Sequence, residues 1–366
     1  MEVTPYLNLM AEKKASDLFF CTGTEPHLKI EGNIRPVGQA KLKPGEVHKI
    51  AQAMMSDEQR TEFEETLECN FAIPLKGVGR FRVNIFRQRG EVSIVIRFIQ
   101  SHIPHISEMN LPNALEHIIM EKRGLILVVG ATGSGKSTTL AAMIGHRNRN
   151  SASHILTIED PLEFIHHHEK SIVQQREVGI DTISYESALK NALREAPDVI
   201  LIGEIRDMDT MKHAINYAET GHLCLATLHA NNANQAIDRI LNFFPEVYHR
   251  QLLTDLSLNL RSIVSQRLLR GIESTLVPAV EVLLNSPYVA ELISKGHIGE
   301  IKEAMKESAE EDMVSFDQAL LTLYRKGQIT LDEALQNADS KNDLGLAIRM
   351  GEGAEDDDDT SELILG

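Results

Sequence analysis

The run GATGSGKST at positions 130–138, which follows the apolar segment LILVV, limits the possible folds of this chain more than any other part of it. The run fits the pattern G-x-x-x-x-G-K-[S/T]. Its glycines let the backbone curl so that successive N–H groups point at phosphate oxygens. A helix that begins at the end of the loop adds the positive end of its dipole. The run therefore predicts a P-loop in an α/β domain, although a glycine-rich turn that binds no nucleotide is the alternative.

The residues of this loop have separable roles. Lys136 supplies a positive charge for the β- and γ-phosphates, and Ser137 offers a hydroxyl to Mg²⁺, which prefers hard oxygen ligands. ATP and Mg²⁺ are therefore the predicted ligands. The predicted nucleotide-binding residues are Gly130, Ala131, Thr132, Gly133, Ser134, Gly135, Lys136, Ser137 and Thr138.

Near-continuous apolar strands alternate with helices after this loop, a pattern typical of a parallel sheet covered on both faces. Strands are predicted at 154–160, 199–204, 223–229 and 277–284, and helices at about 184–195, 207–219, 232–241 and 246–265.

The 366 residues exceed the size at which one hydrophobic core usually stops growing, so at least two domains are expected. The N-terminal part mixes short strand-like pieces with one helical stretch from Pro44 to about Thr66, and it is predicted to be α+β. The predicted organisation is an N-terminal domain at 1–100, a linker at 101–113, an ATPase core at 114–285, a helical subdomain at 286–345 and a disordered acidic tail at 346–366.

Helix-start signals mark the predicted helical subdomain. Ser286 followed by Pro287 predicts a cap with proline at the first helical position. Two capping boxes are predicted further on, at Ser315 with Gln318 and at Thr330 with Glu333. The acidic tail leaves open a second interpretation, in which it docks on a basic partner.

Acidic residues follow two of the predicted strands, and strand ends in parallel sheets are where catalytic groups collect. Glu204 ends the segment VILIGE and is predicted to hold Mg²⁺, partly through water. The cluster from Glu159 to Glu163 follows HILTI, and a carboxylate there could polarise the attacking water. An acidic turn with no catalytic role is the alternative for this cluster.

Two histidines, His222 and His229, flank the predicted strand LCLATL. A histidine can sense a γ-phosphate or donate to a developing negative charge. Spacing alone leaves a purely structural role open for both.

A basic stretch lies between residues 80 and 97, where Arg80-Phe-Arg82-Val-Asn-Ile-Phe alternates along a predicted strand. The alternation places the arginines on one face and the apolar side chains on the other. Three interpretations remain open: a solvated face, a nucleic-acid patch, or arginines that complete another subunit's ATP site.

The net charge of -16 argues against a general nucleic-acid binder. Three cysteines without a C-x-x-C pair suit a reducing compartment. The chain has neither an N-terminal signal pattern nor an apolar run long enough to span a membrane, which predicts a cytoplasmic location without direct membrane insertion.

Several blocks, taken in order, resemble the secretion-superfamily ATPases and most closely the type IV pilus retraction ATPases of the PilT and PilU branches. The blocks are ASDLFF, GRFRVNIFRQRG, GATGSGKSTTLAAM, ILTIEDPLEF, VQQREVG, ALREAPDVILIGEIRD and AETGHLCLATLHANNANQAIDRILNFFP. They extend over nearly the whole chain, and six or more blocks in order are far more specific than one motif.

The resemblance implies a RecA-like P-loop NTPase core with an N-terminal PAS-like α+β domain and a C-terminal helical subdomain. It also implies a homo-hexameric ring with ATP between the PAS-like domain of one subunit and the RecA-like core of the next. Glu163 would be the catalytic base, Glu204 the strand-end glutamate, and His222 and His229 the histidine pair. Arg82 and Arg89 would act in trans, ahead of Arg80, Arg87 and Arg97.

The chain also departs from the PilT branch. Tyr288–Lys295 reads YVAELISK and lacks two arginines of that branch. Together with the ANNAN segment after His229 and the acidic tail, this favours the PilU branch. It implies an accessory motor for pilus retraction in twitching motility, with PilT and an inner-membrane platform protein as partners and a location peripheral to the inner membrane. The rival functions are a nucleotide-gated scaffold with little turnover and a nucleic-acid translocase.

Overall fold

The computed structural model of this protein describes residues 2–30, 32–38, 40–99, 102–272, 275–308 and 312–356. The chain forms two compact units. Unit 1 comprises 1–102 with 161–166 and 176–184, and unit 2 comprises 103–160, 167–175 and 185–366. The predicted ATPase core was a continuous segment, whereas two pieces of it are grouped with unit 1.

The secondary structure elements follow each other along the chain in this order: α1 Thr4–Glu12, β1 Asp17–Phe20, β2 His27–Ile30, β3 Asn33–Pro36, α2 Glu46–Met54, α3 Asp57–Thr66, β4 Glu68–Leu75, β5 Gly79–Gln88, β6 Glu91–Ile99, α4 Ala114–Ile118, β7 Gly124–Val129, α5 Lys136–Asn150, β8 His154–Glu159, β9 Ile172–Glu177, α6 Tyr185–Ala192, β10 Val199–Ile202, α7 Met208–Glu219, β11 Leu223–Leu228, α8 Ala233–Asn242, α9 His249–Asn259, β12 Leu260–Arg270, β13 Leu276–Leu284, α10 Pro287–Lys295, α11 Ile301–Lys306, α12 Phe316–Arg325, α13 Leu331–Asn337 and α14 Lys341–Asp356.

Unit 1 is built on an antiparallel six-stranded sheet in the order β3-β2-β1-β6-β5-β4. Along β5 the apolar Phe81, Val83 and Ile85 are buried, while Arg80 and Arg82, which alternate with them, lie on the other face. The predicted alternation is confirmed.

The single helix predicted from Pro44 to Thr66 is wrong. The chain is extended at Met55, and Ser56 caps a second helix by accepting a hydrogen bond from the Gln59 N–H, so α2 and α3 are separate. A serine with glutamine three residues later is the capping box that starts a new helix.

Unit 2 carries a seven-stranded sheet in the order β13-β12-β7-β11-β10-β8-β9. The strands β12, β7, β11, β10 and β8 pair in parallel, and β13 is antiparallel to β12. Every residue of β7, β10 and β11 is buried, as expected for a sheet with both faces covered. The predicted α/β fold class is confirmed.

The helix predicted at 246–265 is too long at its C-terminal end. Helix α9 stops at Asn259, and Leu260 begins strand β12, which pairs with β7 on one side and β13 on the other. This long-range pairing fixes the strand, and no local break such as glycine or proline precedes it.

The helical C-terminal part confirms most of the predicted helix starts. Ser286 caps α10 with Pro287 at its first position, and Ser315 forms the full capping box with Gln318. Thr330 accepts from the Glu333 N–H, but the Glu333 carboxylate accepts from the backbone of Arg270 instead of returning to its own cap. The second capping box is therefore only half formed.

Two predicted segments differ from the structure. The linker at 101–113 contains a short 3-10 helix at Ile106–Met109, and Ile106 and Leu111 are buried in the core of unit 2. Helix α14 continues past the predicted tail boundary at 346 to Asp356, and the predicted disorder of 357–366 lies outside the described residues. Among the described residues, no helix combines the length and apolarity needed to cross a bilayer.

Candidate functional site

The phosphate loop lies between β7 and α5 and passes close to β12. At Gly130 the backbone has φ 158°, and a Cβ atom would lie 2.5 Å from the carbonyl oxygen of Gln266. Gly135 has φ 90° at the start of α5, where a Cβ would lie 2.8 Å from the Gln266 side-chain nitrogen. Side chains are excluded at both positions, so the loop can curl only with glycine there.

The Lys136 ammonium lies inside the curve of the loop. It is 9% exposed and donates hydrogen bonds to the carbonyl oxygens of Gly130 and Ala131, both at 2.8 Å. Ser137 and Thr138 are half-buried on the first turn of α5, whereas Ala131, Thr132 and Gly133 are exposed at the crest of the loop. The charged group and the hydroxyl therefore lie on one accessible loop.

Parallel strands bring their carboxyl ends together beside this loop. Glu204 follows β10, and His229 follows the neighbouring strand β11. The His229 ring bridges the site, because its Nε2 lies 3.2 Å from the Glu204 carboxylate and its Nδ1 lies 3.3 Å from the Gly130 carbonyl oxygen. The structure thus brings Glu204, His229 and the phosphate loop together.

Arg206 is a member of this site that the sequence prediction missed. Its Nε donates to the Glu204 carboxylate at 2.7 Å, and its guanidinium also lies 3.6 Å from Asp160, which follows β8. The hydrogen bond to Glu204 raises the pKa of Arg206 against the effect of burial. Its position two residues after Glu204 was the available signal, but its partners depend on the strand order.

The residues around Arg206 are largely explained by structure. Asp207 caps α7 by accepting from the Thr210 N–H, and this bond lowers the pKa of Asp207. Burial, followed by the charge of Asp160, raises the pKa of Tyr185. Glu159 accepts a hydrogen bond from the Thr157 hydroxyl at 2.7 Å.

Glu163, the predicted base, lies on the irregular segment after β8. Its side chain is exposed, and its segment, 161–166, is grouped with unit 1, whereas the phosphate loop is in unit 2. Its role as base stays a prediction.

His222 is not at the Glu204 end of the sheet. It precedes β11, so about 20 Å of strand separates it from His229. Its Nδ1 lies 3.1 Å from the Thr220 hydroxyl and 3.2 Å from the Tyr217 carbonyl oxygen. These contacts hold its ring in the turn between α7 and β11, and its role in the histidine pair stays a prediction.

The two predicted trans arginines lie in different settings in unit 1. Arg82, on β5, lies 3.5 Å from the carboxylate of Glu177, which is fully buried. Arg89 is exposed in the turn between β5 and β6 and has φ 49°. The buried carboxylate of Glu177 holds the Arg82 side chain in place, whereas the Arg89 side chain is exposed to solvent.

The residues around the phosphate loop in unit 2 have the chemistry needed to bind a nucleoside triphosphate with Mg²⁺. At Gly130 and Gly135 a Cβ would meet Gln266, so glycine lets the curled loop pack against β12, and the N–H groups of such a loop can bind phosphate oxygens. Lys136 would supply the positive charge and Ser137 a hard oxygen ligand, with Glu204 near the end of a neighbouring strand.

Comparison with known proteins gives the family of this chain. The chain matches the family described as Type II/IV secretion system protein over residues 2–326. It is 53% identical to the type IV pilus ATPase PilU of Pseudomonas aeruginosa, an alignment that covers 100% of this chain and 96% of that protein. It is 39% identical to the type IV pilus retraction ATPase PilT of the same organism, with 92% and 98% covered.

A solved structure resembles the whole fold. The crystal structure of the pilus retraction motor PilT with bound ADP superposes with a TM-score of 0.87 at 39% identity, covering 94% of this chain and 98% of that one. The resemblance to the PilT and PilU branches predicted from the sequence is confirmed, as is its closer likeness to PilU than to PilT.

Proposed function

Because the chain belongs to the Type II/IV secretion system protein family, we propose that it is an ATP-hydrolysing motor subunit for type IV pilus retraction. The observation that carries this proposal is the bridge that His229 makes from the Glu204 carboxylate to the Gly130 carbonyl oxygen, beside the buried Lys136. Two relatives are named as type IV pilus ATPases, which supports pilus retraction as the process that ATP hydrolysis would drive.

In this mechanism the phosphate loop binds and orients the nucleotide. The ammonium of Lys136 exchanges the carbonyl oxygens of Gly130 and Ala131 for phosphate oxygens, and the loop N–H groups surround the phosphates. Ser137 and Glu204 would hold Mg²⁺, which neutralises phosphate charge when bound. Glu163 orients the attacking water and accepts its proton.

His229 links nucleotide contacts to the carboxylate. Its ring contacts both the first residue of the phosphate loop and Glu204, so a shift at either one moves the other. Arg206 binds the other oxygen of the same carboxylate. Glu204 is therefore oriented by two cationic or polar partners, which reduces the reorganisation needed during the reaction.

The assembly we propose is a homo-hexamer in which Arg82 and Arg89 of one subunit reach the nucleotide of the next. Arginine suits this role because its planar charge matches phosphate oxygens in two places at once. For Arg82 the role requires release from the Glu177 carboxylate. His222 lies at the opposite end of β11 from its own chain's Glu204, and we propose no direct part for it in this chemistry.

The proposed motor is an accessory one that works with the paralogue PilT and an inner-membrane platform protein. On α10, where the PilT branch carries arginines, this chain has an exposed pair of Glu291 with Lys295 at 2.5 Å. The Glu291 carboxylate offsets the positive charge of Lys295, so α10 presents less net positive charge to a partner.

The test is steady-state phosphate release by the purified protein with Mg-ATP over a range of protein concentrations. We expect specific activity to rise with assembly, and Lys136→Ala and Glu163→Gln to abolish it. A parent protein that binds nucleotide without turnover at every concentration would contradict an independent motor. Repeating the assay with added PilT then separates an accessory motor, which gains activity, from a nucleotide-gated scaffold, which does not.

A further inference from the structure

The loop after β11, residues 229–233, carries His229 and is fixed at its other end by a buried carboxylate. The N–H of Ala233, at the start of α8, donates to Glu281 at 2.9 Å, and the Ser265 hydroxyl donates to the same oxygen at 2.9 Å. Glu281 is only 3% exposed. The loop therefore has one end at the phosphate site and the other anchored to β12 and β13.

The middle of this loop is held by Arg267 on β12. Its guanidinium donates to the Asn231 carbonyl oxygen at 3.2 Å. The same group donates to the carboxylate of Asp339 at 2.7 Å and to the Asn337 carbonyl oxygen, the last of α13, at 2.5 Å. One side chain thus joins the loop to the C-terminal helices.

Arg267 is also fixed by packing. Its guanidinium carbon lies 3.8 Å above the ring centre of Phe316 on α12, and its side chain is 22% exposed. A stacked and hydrogen-bonded guanidinium has little freedom, so a displacement of the loop is transmitted to α12 and α13 instead of being absorbed.

Arg267 also lies beside the phosphate loop. A cavity of about 280 Å³ is lined by Thr132, Gly133 and Ser134 together with Asn231 and Arg267. The preceding residue, Gln266, accepts the hydroxyl hydrogen of Thr139 on α5 at 2.7 Å. The strand that carries Arg267 is therefore in contact with the nucleotide-binding elements at two adjacent residues.

We propose that Arg267 is a positioning residue that couples nucleotide binding at the phosphate loop to the C-terminal helices. This coupling rests on the proposed function, because nucleotide binding is the event that it transmits. The contacts run from the phosphate loop through His229 to Asn231, then through Arg267 to Asp339 and α13. The nucleotide bound by a subunit thereby controls the positions of that subunit's own C-terminal helices.

The chain offers a matched control for Arg267. Lys302, on α11, also pairs with Asp339, at 3.2 Å, but Asn231 is not among the partners that the structure gives it. Lys302→Gln removes a positive charge from Asp339 and from Asp317, 4.0 Å away, and leaves the link from the loop intact. Arg267→Gln removes the link, and Arg267→Lys keeps the charge but not the planar fork that reaches three acceptors.

The experiment is amide hydrogen exchange on the full-length protein with and without saturating Mg-ADP, read in the segments 229–235 and 335–344. In the parent we expect ADP to slow exchange in both segments. In Arg267→Gln and Arg267→Lys the response at 229–235 persists, while the ADP-dependent change at 335–344 falls about fivefold or more. Lys302→Gln should respond as the parent does.

Two results would overturn the coupling. One is an ADP response at 335–344 in Arg267→Lys that equals the parent's, and the other is an equal loss in Lys302→Gln and Arg267→Gln. Circular dichroism of each variant checks that it is folded, and Arg267→Lys serves if Arg267→Gln is not. Failure of the proposed function is distinct, since ADP protection of 130–138 without phosphate release from ATP contradicts hydrolysis and leaves the exchange comparison intact.

Discussion

The two histidines that flank β11 show how position along a strand decides what a residue type can do. His229 follows the carboxyl end, where it contacts Glu204 and the phosphate loop, and it is 39% exposed. His222 precedes the amino end, where it contacts Thr220 and the backbone of α7. Both flank the same apolar segment, one before it and one after it. Only the parallel sheet, which gathers carboxyl ends at one edge, separates a site residue from a structural one.

The largest expected effect is at the phosphate loop itself. Lys136→Ala removes charge-assisted hydrogen bonds to phosphate, a loss of about 3 kcal/mol or about 100-fold in Kd for Mg-ATP. Equilibrium titration with Mg-ATP measures it. Lys190→Ala is the control, because Lys190 pairs with Glu186 on the exposed face of α6, and we expect its Kd to be unchanged. Equal affinities for parent and Lys136→Ala would show that ATP binds elsewhere.

The comparison of the two histidines is tested by replacing each with alanine. We expect His229→Ala to lower kcat about 30-fold, because Glu204 loses an orienting partner and small misplacements at a reacting centre are costly. His222→Ala should lower kcat far less at high protein concentration. Phosphate release at saturating Mg-ATP measures both. Equal losses would mean that His222 reaches a nucleotide on another subunit.

Arg206 is expected to contribute less than His229 to turnover at the Glu204 end of the sheet. Arg206→Gln leaves Glu204 with His229 as its remaining partner there, and we expect kcat to fall about 10-fold with KM nearly unchanged. Arg194→Gln is a suitable control, since Arg194 is exposed and contacts Asn191 at 3.0 Å. A fall in kcat shared by both variants would point to a general effect of surface charge.

The smallest effect concerns the buried anchor of the loop after His229. Burial raises the pKa of Glu281, partly opposed by hydrogen bonds from Ala233 and Ser265. A carboxyl with a raised folded-state pKa contributes stability that is present below its unfolded value and is lost as pH rises through the folded value. We therefore expect Glu281→Gln, which can accept the same two bonds, to gain stability relative to the parent between pH 5 and pH 8.

Thermal unfolding at both pH values checks the Glu281 prediction, with Glu219→Gln at an exposed position as control. A Tm difference between parent and Glu281→Gln that is the same at pH 5 and pH 8 would contradict the assignment.

The elements that could be predicted from the sequence were those with a strong local signature. The P-loop motif predicted the strand, loop and helix around Lys136, and the apolar segments predicted β8, β10, β11 and β13. Local patterns failed at β12, where the apolar spacing of 246–265 continues that of α9 and only pairing with β7 and β13 makes a strand.

The site could be predicted as far as strand ends could be recognised. Glu204 and His229 follow apolar segments, and this was enough to propose them. The contacts of Arg206 with Asp160 and of Arg267 with Asp339 join residues far apart in the sequence, so they depend on the strand order and on helix packing. The ion pair of Arg82 with the buried Glu177 could not be predicted from the sequence, because it too joins residues that are far apart along the chain.

Hydrolysis of ATP at the Glu204 end of this sheet can be tested with one variant, Glu204→Gln. Glu204→Gln keeps the size and shape of the side chain, and its one remaining oxygen can still accept from Arg206, but the variant removes the charge that would hold Mg²⁺. Phosphate release and nucleotide affinity are measured on the same preparation. We predict affinity within about threefold of the parent and kcat lower by about 100-fold or more. Turnover close to that of the parent would contradict the account.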